Sequence, residues 1–363
     1  MIVPRFRIEI KLLSFVRILA GLKKFRSIED KKLLFFNSGT EAITFFLKSI
    51  SKARKLKVGV PLYCCRQVYQ SVISSGNLLQ FVDIGISANG YKIHHADLEN
   101  LDVLIFVHYF GFQYDKLEEI KSKFANLILI EDCSHLSFKK FKKSGISNAA
   151  VFSFNFHKPI PAGVGGCLLL DNEQDSKGIY ENYNSLPRAS FVQGLKTLCR
   201  VFLKNFAFSP MIYFFLEKYI TARRRRPLIN IRSIVRPQKV GLVGKVLIGN
   251  QLTNNHDFLS RYRRLPDKMI LKDNDDSLSY FPIFCRSEHK RDSLLEKFKQ
   301  KQIDVFILWE NTFYNAFFYG LRNADRYQNT KDTLAHVLFI PEFMLISDKR
   351  FHELLQILGD DLT

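Results

Sequence analysis

Lys158 is the first residue in this chain whose surroundings ask for a chemical explanation. It lies in the stretch FSFNFHKPIPAGVGGC, residues 152–167. The apolar run AAVF leads into Ser153, and the lysine follows five residues later on a segment broken by Pro159, Pro161 and Gly163. Gly165 and Gly166 then return the chain to a second apolar run, Cys167 to Leu170. A lysine between two buried strands belongs at a cleft or beside a counter-charge. Burial lowers its pKa and makes the amine a usable nucleophile. Lys158 is read as a Schiff-base lysine.

Other polar residues stand where apolar runs end. Asp132 follows LILIE, His108 follows LIFV, and His135 closes IEDCSH. Taken singly, Asp132 reads equally as a helix cap or ion-pair partner, and each histidine as a satisfied core residue. Their joint placement at strand ends points to a site. Asn37-Ser38-Gly39-Thr40 precedes a helical pattern with apolar positions Ile43, Phe46, Leu47 and Ile50. Free N–H groups at such a helix start can hold an anion, and Ser38 or Thr40 can equally be a plain N-cap.

The elements that must position these residues alternate. Strands are expected at 57–63, 78–84, 101–111 and 126–135, with helices at 67–75 and 115–125 between them. Near-continuous apolar strands separated by helices predict an α/β fold with a mainly parallel sheet covered on both faces. Ligands of such sheets sit at the carboxyl ends of the strands. Residues 240–264 continue as helix, followed by a strand at 277–285, a charged helix at 288–301 and a strand at 302–309. A helical stretch at 331–336, an edge strand at 337–343 and a terminal helix at 347–358 complete a smaller α+β domain. The boundary is drawn between a large domain, 1–240, and a small one, 241–363.

At 363 residues the chain can bury a full core. A net charge of +19 favours nucleotide phosphates, polyanions or an anionic membrane face, without choosing among them. The six cysteines form no CxxC pair or regular framework, which argues against a zinc site or disulfide scaffold and for reduced thiols in a cytoplasm. The N-terminus is charged too regularly for a signal peptide, and no apolar run reaches about 18 residues. Ile8 to Leu22 reads as a basic amphipathic helix that packs on the body or lies on a membrane. Residues 190–238 are aromatic and basic, with Arg223 to Arg226 consecutive. They read as a helical hairpin packed on the body, or as a membrane-surface or nucleotide-facing element. No RNA-binding module is recognisable, so no nucleic acid is expected.

With these residues assembled, the chain resembles the DegT/DnrJ/EryC1/StrS family of nucleotide-sugar aminotransferases, which use pyridoxal phosphate on the type I, aspartate aminotransferase-like fold. Four ordered motifs carry the resemblance: NSGTEA (37–42), VPLY through FVDI (60–84), IEDCSH (130–135) and FSFNFHKPIPAGVGG (152–166). It is close over about 33–171, looser over 240–363 and absent over 190–238.

The resemblance implies that Lys158 binds the cofactor and shuttles the proton, and that Asp132 pairs with the pyridine nitrogen. Ser38, Gly39, Thr40 and Ser153 would form the phosphate cup, and His135 would contact the ring oxygen. Tyr63 and Cys65 would flank the cofactor. Cys65 stands where the family often has an aromatic ring. His108, Arg223 and Arg224 are candidate substrate residues. The family's phosphate-contacting asparagine segment from the neighbouring subunit is not recognisable, and Asn182, Asn184 and Asn250 are the candidates.

The expected activity is transfer of an amino group, from L-glutamate, to a keto-sugar on a nucleoside diphosphate for surface glycan or lipopolysaccharide assembly. A cytoplasmic homodimer is implied, with peripheral contact to the inner face of the membrane as an option. No metal is expected. A sugar dehydratase on the same cofactor is the alternative, opposed by the intact Lys158, as is a non-catalytic regulatory protein on the same fold.

Overall fold

The computed structural model describes residues 15–28, 33–51, 54–136, 138, 141–142, 144–170, 177–207, 212, 215–216, 234–252, 262–265, 281–340 and 348–359. Helix α1 (Phe15–Arg26) is followed by β1 (Leu33–Phe36), α2 (Gly39–Ile50), β2 (Lys57–Pro61), α3 (Arg66–Ser75) and β3 (Leu78–Val82). A hairpin of β4 (Ile84–Ser87) and β5 (Gly90–Ile93) precedes β6 (Val103–Val107), α4 (Leu117–Lys123), β7 (Ile128–Asp132), β8 (Ala149–Ser153) and β9 (Gly166–Leu170).

These strands, the hairpin apart, build one seven-stranded sheet in the order β1-β9-β8-β7-β6-β2-β3. The five from β8 to β3 are parallel. β9 runs antiparallel to both its neighbours, so β1 points the same way as β8. β6, VLIFV, is buried along its whole length, as a strand covered on both faces must be. The α/β, mainly parallel architecture expected from the apolar runs is therefore present.

Local chemistry sets the helix ends. Ser38 caps α2 by accepting from the Glu41 N–H, and the Ser38-to-Glu41 spacing is that of a capping box. Gly76 ends α3 in a left-handed conformation, φ 85°, that carries no steric cost without a Cβ. The expected strand over 78–84 divides at Asp83. That residue leaves the ladder and turns its carboxylate to the N-terminus of a helix 246 residues onward.

Helices α5 (Lys177–Ser185), α6 (Phe191–Ala207) and α7 (Leu242–Gln251) follow the sheet. α1 packs along α7, and Val240, Leu247 and Ile248 share a core with Phe25, Phe35 and Phe154. The remaining elements are β10 (Phe281–Phe284), α8 (Glu288–Gln300), α9 (Thr312–Phe317), α10 (Gln328–His336), β11 (Val337–Ile340) and α11 (Asp348–Gly359). β10 and β11 pair antiparallel beneath α8 and α11, over their own core of Phe281, Ile283, Leu294, Phe298 and Leu354. The other side of this layer, Phe284, Phe306 and Phe339, joins the core of the large sheet.

Residues 302–309 are not the expected strand. One bridge, Phe306 to Phe339, is all the pairing they make with β11, and Gln302 and Trp309 turn the backbone through positive φ at either end. The N-terminal helix is described from Phe15 to Arg26, and residues 1–14, which include the first part of the expected Ile8–Leu22 helix, lie outside the described ones. Within 190–238, α6 covers residues 191–207, while Arg223 and Arg224 lie outside the described residues.

Candidate active site

The carboxyl ends of β1, β2, β6, β7 and β8 open on one cleft. Its walls include Gly39, Thr40, Cys65, Asp132, His135, Ser153, Lys158 and Trp309. Most of the residues singled out from sequence, up to 119 positions apart, converge there.

The turn at the start of α2 and the lysine-bearing loop are held together by backbone. Gly165 N–H donates to Asn37 O at 2.8 Å, and Phe154 N–H donates to Gly165 O at 2.9 Å. A Cβ at Gly166 would collide with the backbone nitrogen of Gly39, so only glycine lets β9 pass this close to the helix start. Gly39 in turn lies against Ser153, where an added Cβ would sit 3.2 Å from the serine Cβ. The result is a glycine-lined recess with the α2 N-terminus and the Thr40 and Ser153 hydroxyls around it. Such an end of a helix favours an anion. Ser38 itself is the cap rather than a wall of the cleft.

Asp132 ends β7 and is 5 % exposed. Its Oδ1 accepts from Ser134 N–H at 3.0 Å. Lys158 is partly exposed as a residue. Even so, desolvation in the cleft is the largest influence on its ammonium and holds its pKa below the usual lysine range, against the opposing pull of Asp132 and Cys65. His135 is held neutral, its pKa well below the usual value, first by burial and then by the charge of Lys158. Its Nδ1 accepts from Phe110 N–H at 3.4 Å, which places the ring proton on Nε2. Burial likewise raises the pKa of the Cys65 thiol, and Lys158 offsets part of that rise.

His108 does not line the cleft. It is fully buried, and its Nε2 lies 2.8 Å from Glu131 Oε2. Burial pushes the Glu131 carboxyl up, but hydrogen bonds from His108, Ser147 and Ser144 outweigh it and keep the pKa below the usual value. The reason is strand parity. β6 and β7 pair Val107 with Asp132, so those two share the cleft side while Glu131, one residue earlier, faces the other. His108 follows Glu131 to that opposite side. Tyr63 is also fully buried, with its ring edge-on to Trp309 at 4.9 Å. Asn182 and Asn184 lie on α5 and Asn250 on α7 beside Gly21, none of them lining the cleft.

Several wall residues were not anticipated, Gln67, Ser134, Asn155 and Trp309 among them. Trp309 reaches the cleft from the C-terminal part of the chain, stacked on His135 at 5.6 Å and 20°. No sequence pattern marks it, because its partners come from three separate segments.

Residues 23–187 match the model of the DegT/DnrJ/EryC1/StrS aminotransferase family. Over that span, a little under half of its length, the chain is similar to this family. A curated relative, UDP-4-amino-4,6-dideoxy-N-acetyl-beta-L-altrosamine transaminase of Campylobacter jejuni, is 27% identical over 175 residues. That alignment covers 43% of this chain and 46% of the relative, so it spans about half of the relative's length. Solved structures extend the likeness of fold over nearly the whole chain. AtS13 from Actinomadura melliaura superposes with a TM-score of 0.69 at 13% identity, covering 98% of both chains. Spr1654 from Streptococcus pneumoniae in its PLP form gives 0.70 at 14%, covering 98% of this chain and 97% of that one. One fold is thus common to all three.

The cleft chemistry fits pyridoxal phosphate, the family cofactor. It offers an amine of lowered pKa, a buried carboxylate, a neutral imidazole donor and a glycine-lined anion recess in one cleft.

Proposed function

We propose that this chain is a pyridoxal phosphate-dependent aminotransferase that moves an amino group from L-glutamate to a nucleotide-linked keto-sugar for surface glycan or lipopolysaccharide synthesis. The observation that carries the proposal is Lys158 and Asp132 in one cleft with the α2 N-terminus. The 27% identical sugar transaminase supports the choice of substrate class.

Pyridoxal phosphate, when bound, supplies a carbonyl for amines to condense with and a ring that takes up the electron pair of a broken C–H bond. The α2 N–H groups, Thr40 and Ser153 would hold the phosphate. Asp132 would offer its buried carboxylate to the ring nitrogen. His135 would donate from Nε2 to the ring oxygen. Lys158 Nζ, with its pKa lowered by burial, releases and takes back a proton at neutral pH more readily than a free lysine.

The reading includes a cytoplasmic homodimer, a large domain over 1–240 and a small one over 241–363, with α6 turned toward the inner face of the membrane. Phe191, Leu203 and Phe206 are outward on α6, 66 %, 68 % and 65 % exposed, on a chain of net charge +19. A basic helix with such an apolar face suits an anionic lipid surface.

The deciding measurement is the visible spectrum of the cofactor-loaded protein before and after L-glutamate. A band that bleaches on adding the donor is expected, together with loss of borohydride-reducible cofactor attachment in Lys158→Ala. A band indifferent to glutamate, or attachment retained in the variant, would overturn the assignment.

A further inference from the structure

The ring of a bound cofactor is favoured by an aromatic neighbour, and the strand ends of this cleft supply only the imidazole of His135. At the end of the β2 segment stands Cys65, a thiol, and the other strand-end walls include the aliphatic Val107 with glycine, hydroxyl and carboxylate residues. Among the lining residues, the two aromatic side chains are His135 and Trp309. His135 is committed through Nδ1 to the backbone of Phe110.

Trp309 is held in place at a cost. Its backbone sits in the left-handed region, φ 55°, which a bulky residue adopts only when surrounding contacts enforce it. The carbonyl of Trp309 accepts from Thr312 N–H at 2.8 Å and from the Thr312 hydroxyl, tying it to the start of α9. The indole is half-buried, near-parallel to His135 and edge-on to Tyr63. A strained backbone that delivers a large ring to the mouth of a polar cleft is better explained by a ligand than by packing.

We propose that Trp309 is the aromatic wall of the cofactor site, brought by the C-terminal part of the chain to the face of the cleft that Cys65 leaves uncovered. The inference rests on the cofactor reading above, and its test separates the two. Trp309 is the chain's sole tryptophan, so the protein's indole emission reports this one position.

The experiment titrates pyridoxal phosphate into cofactor-free protein. Occupancy is followed by equilibrium dialysis and by borohydride trapping on Lys158, and indole emission and its exposure to acrylamide are followed in parallel. Quenched emission and reduced acrylamide access at one equivalent are expected. Trp309→Ala should weaken cofactor affinity roughly 3- to 10-fold, while Trp309→Phe, which keeps a ring, should stay within about 2-fold. Stoichiometric cofactor with unchanged acrylamide access in the wild type, or equal affinity in the folded alanine variant, would refute the role of Trp309 and leave the aminotransferase reading standing. Absence of cofactor binding to the wild type would overturn both. If the alanine variant does not fold, the wild-type emission and Trp309→Phe still decide.

Discussion

Neighbouring charges at Lys158, Asp132 and His135 reinforce one another. Burial first, and then the nearby ammonium, lower the pKa of His135, and Asp132 opposes the lowering of the Lys158 pKa by desolvation. Residue-scale electrostatics extend to Glu41, next to the anion recess. Its carboxyl pKa is raised from 4.5 to about 7, chiefly by burial, against hydrogen bonds from Gln238 N–H and Ser38. The folded state therefore binds this proton more tightly than the unfolded chain does. Glu41's contribution to stability is whole below about pH 4.5 and is lost as pH rises to about 7. The wild type should accordingly lose on the order of 1–2 kcal/mol of unfolding free energy between pH 5 and 8 that Glu41→Gln does not lose, after allowing for solvent screening of this partly exposed group. Urea unfolding of the two proteins at both pH values measures the difference. Parallel pH dependence would mean the carboxyl titrates normally.

Among the elements, α10 depends most visibly on a residue far from it in sequence. Asp83 is 3 % exposed, and its carboxylate accepts from Asn329 N–H, Thr330 N–H and the Thr330 hydroxyl at 2.9, 2.9 and 3.0 Å. It is a remote N-cap, supplied by the segment between β3 and β4. Removing it strands buried donors at a helix start, which costs about 2–4 kcal/mol when two backbone N–H groups lose a charged partner. Asp83→Ala should lower the unfolding free energy by that amount, read from the denaturant midpoint at constant slope. Asp83→Asn, which keeps an acceptor, should lose about half as much. A loss below about 0.5 kcal/mol in the alanine variant would show that α10 is held by its packing alone.

For the whole molecule, two surfaces matter. Inside, Phe284, Phe306 and Phe339 merge the C-terminal layer with the core of the large sheet, so Trp309 is positioned by a continuous packed interior. Outside, Lys204 lies over the Phe156 ring at 3.9 Å and Arg200 reaches Gly163 O, which fastens α6 to the lysine loop with its apolar residues turned outward. If that face meets lipid, the protein should co-sediment with vesicles containing anionic phospholipid and less with neutral ones. Leu203→Glu with Phe206→Glu should reduce binding at least about 10-fold, since each exposed apolar side chain buries about 1.5–3 kcal/mol of transfer free energy. Equal sedimentation of wild type and variant would remove α6 from the proposal.

Much of the site was legible in the order of residues. Apolar runs ending in Asp132 and Ser153, the turn Asn37-Ser38-Gly39-Thr40 and the glycine-framed loop of Lys158 each announce themselves locally, because strand hydrophobicity, helix capping and glycine turns are short-range properties. Which side of the sheet each residue faces is not short-range. The register of β6 on β7 sends Val107 and Asp132 to the cleft and His108 to Glu131, a difference of one position that the composition of the segment does not contain. Trp309 lies still further from local reading. Its place beside His135, 174 residues earlier, exists only once the C-terminal layer and the large sheet share a core. The sequence by itself determined which groups could do the chemistry and the strands that carry them. Tertiary structure decided which of them meet, because side-chain parity and long-range packing are properties of paired strands and joined cores rather than of any single segment.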